Sequence, residues 1–322
     1  MSQALTLDQS AAAEERGQSP WSQAWRMFRR DRMAMSGLIV LLLLAGFALG
    51  GKALTEWWVV FDPASVRLID KFRPPLAQAS PLLAETERPL LGVYLLGTDE
   101  LGRDVFARML QGSFVSLSIG FIAVGLATLI GVLIGGLAGY YSNLRIGPLT
   151  VDTLLMRFTD VMLCFPTFFL ILTVVALLPP SIYNIMIVIG VTSWMGTARF
   201  VRAEFLALKE QDYVVAAKAL GLPEWRIIFL HMAPNAMAPV LVSATISVAT
   251  AILTESALSF LGFGVQPPDA TWGNILADGK GFIFDAPWLF FVPGLAILVV
   301  VLAFNLVGEG LREALNPRLR QR

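Results

Sequence analysis

Long uncharged apolar runs alternate along this chain with shorter charged segments. The runs occupy 33–51, 109–144, 161–198, 227–254 and 286–308, and a helix needs about 20 apolar residues to cross the hydrocarbon of a bilayer. The 161–198 run is too long for one span, and Pro179-Pro180 followed by Ser181 splits it, because proline withholds a backbone donor and ends helices. The pattern predicts six spans, at roughly 33–51, 113–140, 158–178, 182–199, 237–262 and 288–308. The expected fold class is an all-α membrane protein with six transmembrane helices.

Composition agrees, with 56% hydrophobic and 15% charged residues and a mean hydropathy of +0.68. Lys and Arg then orient the spans, since they accumulate in short cytoplasmic segments. With the N-terminus inside, the inner segments hold 16 of the 24 basic residues and the outer ones eight, seven of them in the long 52–112 segment where the rule is weak. Both termini are therefore expected in the cytoplasm. No cleavable signal peptide is apparent, and the first span is expected to stay as an anchor. A net charge of zero argues against nucleic acid as a partner, and the single cysteine, Cys164, lies in a predicted span, which excludes internal disulfides.

Residues 1–19 are polar and expected to be disordered. Trp21, Trp25 and Phe28 then share one side of a helix whose other side carries Arg26, Arg29 and Arg30. That pattern suits the cytoplasmic headgroup layer, or a plain basic flank. The 52–112 segment is proline-rich without a sustained period and reads as an irregular extracytoplasmic loop. At its end, GTDELGRDVFARMLQG (97–112) predicts a helix capped by Thr98 or Asp99, with Asp99, Glu100 and Asp104 matched to its dipole and Arg103 and Arg108 polar at the membrane face.

The second span carries Gly131, Gly135 and Gly139 on one face, which favours close helix packing. Glu255, in the fifth span, is expected either to face a bundle interior or watery cavity, as a pore or gate residue with Ser256 and Ser259, or to bond locally to those serines. The outer segment FLGFGVQPPDATWGNIL (260–276) is a Gly- and Pro-broken loop that places Trp272 at the interface. In the one large cytoplasmic loop, 199–236, Asp212 can cap a helix over 213–220, Gly221 can end it in the left-handed conformation, and Pro223 suits the start of a second helix ending before Pro234-Asn235. Ala216, Ala217 and Ala219 keep the first helix thin enough for a partner's groove, with Lys218 and Arg226 at its rim. His231 reads as structural, for want of a second titratable partner.

Residues 213–235, YVVAAKALGLPEWRIIFLHMAPN, resemble the EAA loop of ABC importer permeases, Glu-Ala-Ala-x3-Gly-x9-Ile-x-Leu-Pro. Ala216, Ala217, Gly221 and Pro234 match, whereas Val215, His231 and Ala233 replace the Glu, Ile and Leu. The His-x-x-Pro-Asn ending, the 97–112 segment, ESALSFLGFGVQPPDATWG and the tail GEGLREALNPRLR are similar to the C-type permease subunit of the dipeptide/oligopeptide branch. The resemblance implies the type I permease fold, with a cytoplasmic tail and interfacial helix (1–32), a first span (33–51), an outer loop (52–112), a five-helix core (113–311) with a coupling loop at 204–235, and a cytoplasmic C-terminal tail (312–322).

It further implies half of a pore in a bacterial inner membrane, a homologous B-type permease, two cytoplasmic P-loop ATPases that carry the ATP and Mg, and an extracytoplasmic binding protein. Asp212, Tyr213, Ala216, Ala217, Lys218, Gly221 and Pro234 become the ATPase-coupling residues, and Gly97, Thr98, Asp99, Gly102, Arg103, Asp104 and Trp272 an extracytoplasmic motif. The chain has no phosphate-binding loop, its Gly-Lys pairs being Gly51-Lys52-Ala53 and Gly279-Lys280-Gly281, so no ATPase site, cofactor or metal of its own is expected. The cargo implied is peptide, with nickel chelates, glutathione or oligosaccharides as alternatives. A secondary transporter would need paired intramembrane charges or matched broken helices, and an enzyme a catalytic constellation.

Overall fold

The computed structural model describes residues 20–315; the expected disordered N-terminus and the end of the C-terminal tail lie outside them. Helix α1 (Pro20–Arg30) leads into α2 (Arg32–Lys52), whose N-terminus is capped by the Asp31 carboxylate. Phe28 does not face headgroups. It is buried with Ala34, Val307 and Ala314 at the inner end of the bundle, where it shields more apolar area than at a wet interface.

A cap at one end of the bundle, the end expected to be extracytoplasmic, follows. It is largely irregular, as its prolines predict, but Ala77–Gln78 pairs antiparallel with Val93–Tyr94 around a buried Asp70. The Asp70 carboxylate accepts hydrogen bonds from the Tyr94 hydroxyl and the Ser80 amide, and burial together with that bond pushes the Tyr94 hydroxyl pKa up. The cap ends earlier than expected, because residues 105–112 already belong to α3 (Val105–Tyr140). Its N-cap is Asp104, which accepts from the Phe106 amide; Thr98 and Asp99 are spent on other partners.

Two predicted spans are each broken. The third comprises α4 (Val151–Leu163) and α5 (Thr167–Leu177), bent by 78°. Pro166 lies at the break, where it can neither donate to α4 nor leave its predecessor helical. The fourth comprises α6 (Ile182–Thr192) and α7 (Met195–Lys209), bent by 42° around Ser193 and Trp194. The Pro179-Pro180 turn separates α5 from α6 as expected.

In the loop between the fourth and fifth spans, α8 (Asp212–Ala219) is preceded by Gln211 in the cap position, so Asp212 is the first helical residue and not the cap. Gly221 takes φ +74°, and after Pro223 the chain becomes helical again at Glu224–Arg226. This second helix does not end before Pro234. It widens into a π turn over Ile227–Met232 and continues as α9 (Ala233–Phe260), with Pro234 in the first turn, where a missing amide costs least. A short outer helix, α10 (Trp272–Gly279), and the last span, α11 (Trp288–Leu315), complete the fold. Among the described residues, four helices are long and apolar enough to span, or up to six spans if each bent pair is one.

The long α3 is the mast of the bundle. Its Gly131, Gly135 and Gly139 face α7, and a Cβ on Gly135 would lie 2.3 Å from the Ala198 carbonyl and 2.9 Å from Val201. Arg202 grips Asp152 with both ends of its guanidinium, and Arg199 reaches Asp160 at 2.6 Å, fixing α7 to α4 near the cytoplasm. Gly135→Val is expected to cost at least about 1–3 kcal/mol, visible as a lower thermal midpoint in detergent. Gly125→Ala, whose added Cβ meets nothing within 4 Å, is the control and should leave the midpoint nearly unchanged.

Candidate functional site

Two surfaces gather the residues singled out in the sequence, one at each end of the bundle. At the inner end, α8 buries Val214 and Ala217 in a cluster with Tyr140, Val201, Phe205, Ile227 and Met232. Its opposite face is open: Asp212, Tyr213, Val215, Ala216, Lys218 and Ala219 are exposed, and Leu220 is 79% exposed. Ala217 is therefore a packing residue, and Ala216 and Ala219 keep the outward face low. Lys218 Nζ lies 5.5 Å from the Tyr140 ring centre, and Asn235 Nδ2 donates to the His231 carbonyl at 2.6 Å. Pro234 is exposed at the foot of α9.

Gly221 has no atom within 4 Å of where a Cβ would stand, so its positive φ and not crowding calls for glycine. Where the EAA pattern has Glu, Val215 is 51% exposed. Of the nearby acids, Glu224 accepts from the Tyr141 hydroxyl at 2.8 Å, which raises the tyrosine pKa; Glu210 and Asp212 form no ion pair among the described residues.

At the outer end the extracytoplasmic motif folds into a buried ion network. Asp99 accepts from the amides of Leu101 and Arg103, from Arg103 Nε at 2.7 Å and from Arg108 Nη1 at 2.7 Å. Both arginines also reach Asp278 on α10, at 3.3 and 2.9 Å. Arg103 and Arg108 are thus buried and paired, not polar groups at the membrane face. Asp104 is buried as well, and burial pushes its pKa up against the opposing amides of Phe106 and Ala107.

Gly97 and Gly102 have φ +79° and +71°, and a Cβ on Gly102 would fall 1.8 Å from the Arg67 carbonyl. Thr98 accepts from the Arg73 amide, and its carbonyl accepts from Trp288 Nε1 at 3.1 Å. Trp272 is buried in the main core at 1% exposure instead of lying at the interface.

Helix α10 is wedged between three others through glycines. A Cβ on Gly273 would meet Ser256 and Ser259 of α9 at 2.7 and 2.9 Å, one on Gly112 of α3 would meet Thr271 at 3.1 Å, and one on Gly279 would meet Leu289 of α11 at 2.7 Å. Glu255, Ser256 and Ser259 are accordingly buried inside the chain, with Glu255 accepting from the Ser259 hydroxyl at 2.7 Å. Glu255 thus bonds locally to Ser259, while its Oε2 and the buried Ser256 hydroxyl have no hydrogen-bond partner among the described residues.

Sequence reasoning missed Asp278 and Asn274. Asn274 carries a signal, since Thr271-x-x-Asn274 forms a reciprocal capping box. Asp278 carries none, because its partners are 170 or more residues away.

This arrangement is a helical bundle of up to six spans with a short helix projecting between the fourth and the fifth. Its fold is shared with inward-facing conformations of the MetNI methionine ABC transporter, at a TM-score of 0.50 and 17% identity over 66% of this chain and 98% of that one. The chain belongs to the family of binding-protein-dependent transport system inner membrane components, whose pattern it matches over residues 131–321. Residues 19–75 also match the N-terminal TM domain of oligopeptide transport permease C. Among relatives, the dipeptide transport system permease protein DppC of Alkalihalophilus pseudofirmus is 37% identical over 94% of this chain and 91% of its own. The di/tripeptide permease DppC of Pseudomonas aeruginosa is 39% identical over 94% and 93%, and the oligopeptide permease OppC of Bacillus subtilis 35% over 94% and 91%.

Asp99→Ala is expected to lower stability by about 3–5 kcal/mol, because it leaves two buried guanidinium groups short of a partner. The readout is faster proteolysis of the cap in sealed membranes with the outer face exposed. Glu100→Ala, which breaks no ion pair among the described residues, is the neutral control.

Proposed function

We propose that this chain is the permease subunit of an ATP-driven importer of peptides and forms half of its translocation pore. The observation that carries the reading is the exposed face of α8. It ends in the forced Gly221 bend, beyond which the helix from Glu224 runs through the π turn into the spanning helix α9. The names of the similar permeases support peptides as cargo.

On this reading a homologous B-type permease supplies the other pore wall, and an extracytoplasmic binding protein delivers cargo. Two cytoplasmic ATPases bind ATP and Mg and seat the α8 surface, where Asp212, Tyr213, Ala216, Lys218, Leu220 and Gly221 stand open. The chain itself hydrolyses nothing. It sits in the bacterial inner membrane with both termini in the cytoplasm, which the bias of basic residues towards the inner segments supports. Closure of the ATPases pulls on α8, and α9 transmits that motion to the outer half of the bundle, alternating access between the two sides. With Val215 in place of Glu, the free carboxylates of Glu210 and Asp212 are the groups available to the ATPase.

Purification of the tagged chain in mild detergent should recover two P-loop ATPases and a second six-span chain, identified by mass spectrometry. Recovery of a homo-oligomer alone would count against the importer. Gly221→Asp places a charge and a strained backbone on the open face, and is expected to abolish uptake while ATPase activity persists and the protein still inserts. Gly221→Ala costs only the roughly 1–2 kcal/mol of a left-handed residue and should retain part of the uptake.

A further inference from the structure

A cleft of about 160 Å³ opens between α3, the α6–α7 break and α9. Six hydroxyls line it, from Thr128, Ser193, Thr197, Ser247, Thr250 and Thr254, with small apolar residues between them and no charged side chain. Ser247 and Thr254 donate to the carbonyls four residues back. The hydroxyls of Thr128, Ser193, Thr197 and Thr250 make no hydrogen bond among the described residues, and Ser193 and Thr250 are exposed.

The depth of this cleft gives it meaning. Ser193 follows the 11-residue α6, about 17 Å from the outer Pro179-Pro180 turn. Thr250 stands ten residues before the outer end of α9, about 15 Å. Both values fall near the middle of a hydrocarbon core about 30 Å thick.

A second observation is independent of the hydroxyls. The backbone itself is broken here, and no side chain caps the N-terminus of α7. Non-helical backbone at that depth is tolerated only inside protein or beside a watery cavity. A surface with free hydroxyls and uncapped amides is therefore poorly suited to lipid.

We propose that this cleft is the surface over which cargo passes in this chain, and that it binds peptide backbone. The proposal rests on the importer reading above. A peptide offers an amide donor and a carbonyl acceptor at each residue, and each hydroxyl is both donor and acceptor. Such a wall can exchange hydrogen bonds with any segment of peptide. Lacking charge, it neither attracts nor rejects a particular side chain, so it fits cargo of varied sequence.

The test uses the complete importer in proteoliposomes, with Cys164→Ser as background so that no native thiol remains in this chain, and with labelling read on this chain alone. Thr250→Cys should react with a membrane-impermeant thiosulfonate and be protected when binding protein loaded with Ala-Ala-Ala and ATP are supplied. Failure to react in any state would make the cleft a seam against another helix and overturn the proposal. Thr250→Asp should lower uptake of Ala-Glu-Ala relative to Ala-Lys-Ala by at least tenfold; an unchanged ratio would overturn it. Thr250→Ser, which keeps the hydroxyl, should retain uptake and the even preference. If the unaltered complex moves none of the three peptides, the peptide reading fails, and thiosulfonate labelling still reports whether the cleft is wet.

Discussion

The close approach of α3 and α7 governs how this chain is built. Lipid tails are as apolar as leucine, so helices in a bilayer gain little from hiding hydrophobic area from one another and associate instead through packing and hydrogen bonds. Gly131, Gly135 and Gly139 remove the side chains that would hold α7 away, and its Ala198 and Val201 settle against the bare backbone. With α7 fixed on that line, its cytoplasmic end presents α8, and its outer end must break at Ser193 and Trp194 to join α6. The break and the cytoplasmic surface are two ends of one geometric commitment.

The outer end is held by charge where the inner seam is held by absence of bulk. Asp99, Arg103, Arg108 and Asp278 form a set of two acids and two bases, of which Asp99 and both arginines are buried and Asp278 is partly open to water. Such a set is costly to desolvate and unforgiving when one member is lost, so its value lies in fixing position. It joins the cap before α3 to a helix more than 160 residues later. Together with the three glycine contacts of α10, it makes cap, α3, α9 and α11 share one outer scaffold.

Much of this was legible in the sequence because hydropathy and glycine spacing report local rules. The apolar runs located the spans, the Gly131–Gly135–Gly139 face predicted a packing seam, and Gly221 marked the bend after α8. Bends were harder to read. The uncharged run through 161–198 looks uniform to hydropathy, and Pro166 shows its effect only once the chain direction is known. Caps within 97–105 were ambiguous because Thr98, Asp99 and Asp104 are all good capping types, and only the distant arginines and the Asp70 carbonyl decide which are free. Trp272 was misplaced since the same side chain serves an interface or a core, and Glu255 turned inward because α10 covers it.

From Glu224 to Phe260 the chain is helical for 37 residues, a rod on the order of 55 Å long. One end carries the exposed loop and the other meets the buried joint with α10. A rod of that length works as a lever: a tilt of a few degrees at the cytoplasmic end sweeps the far tip through several ångströms. The π turn at Ile227–Met232 and Pro239 lie near the short arm, where compliance is greatest. In the importer proposed above, stiffness there sets how much of the stroke reaches the far end, so residues remote from both ATPase and cargo tune the gearing.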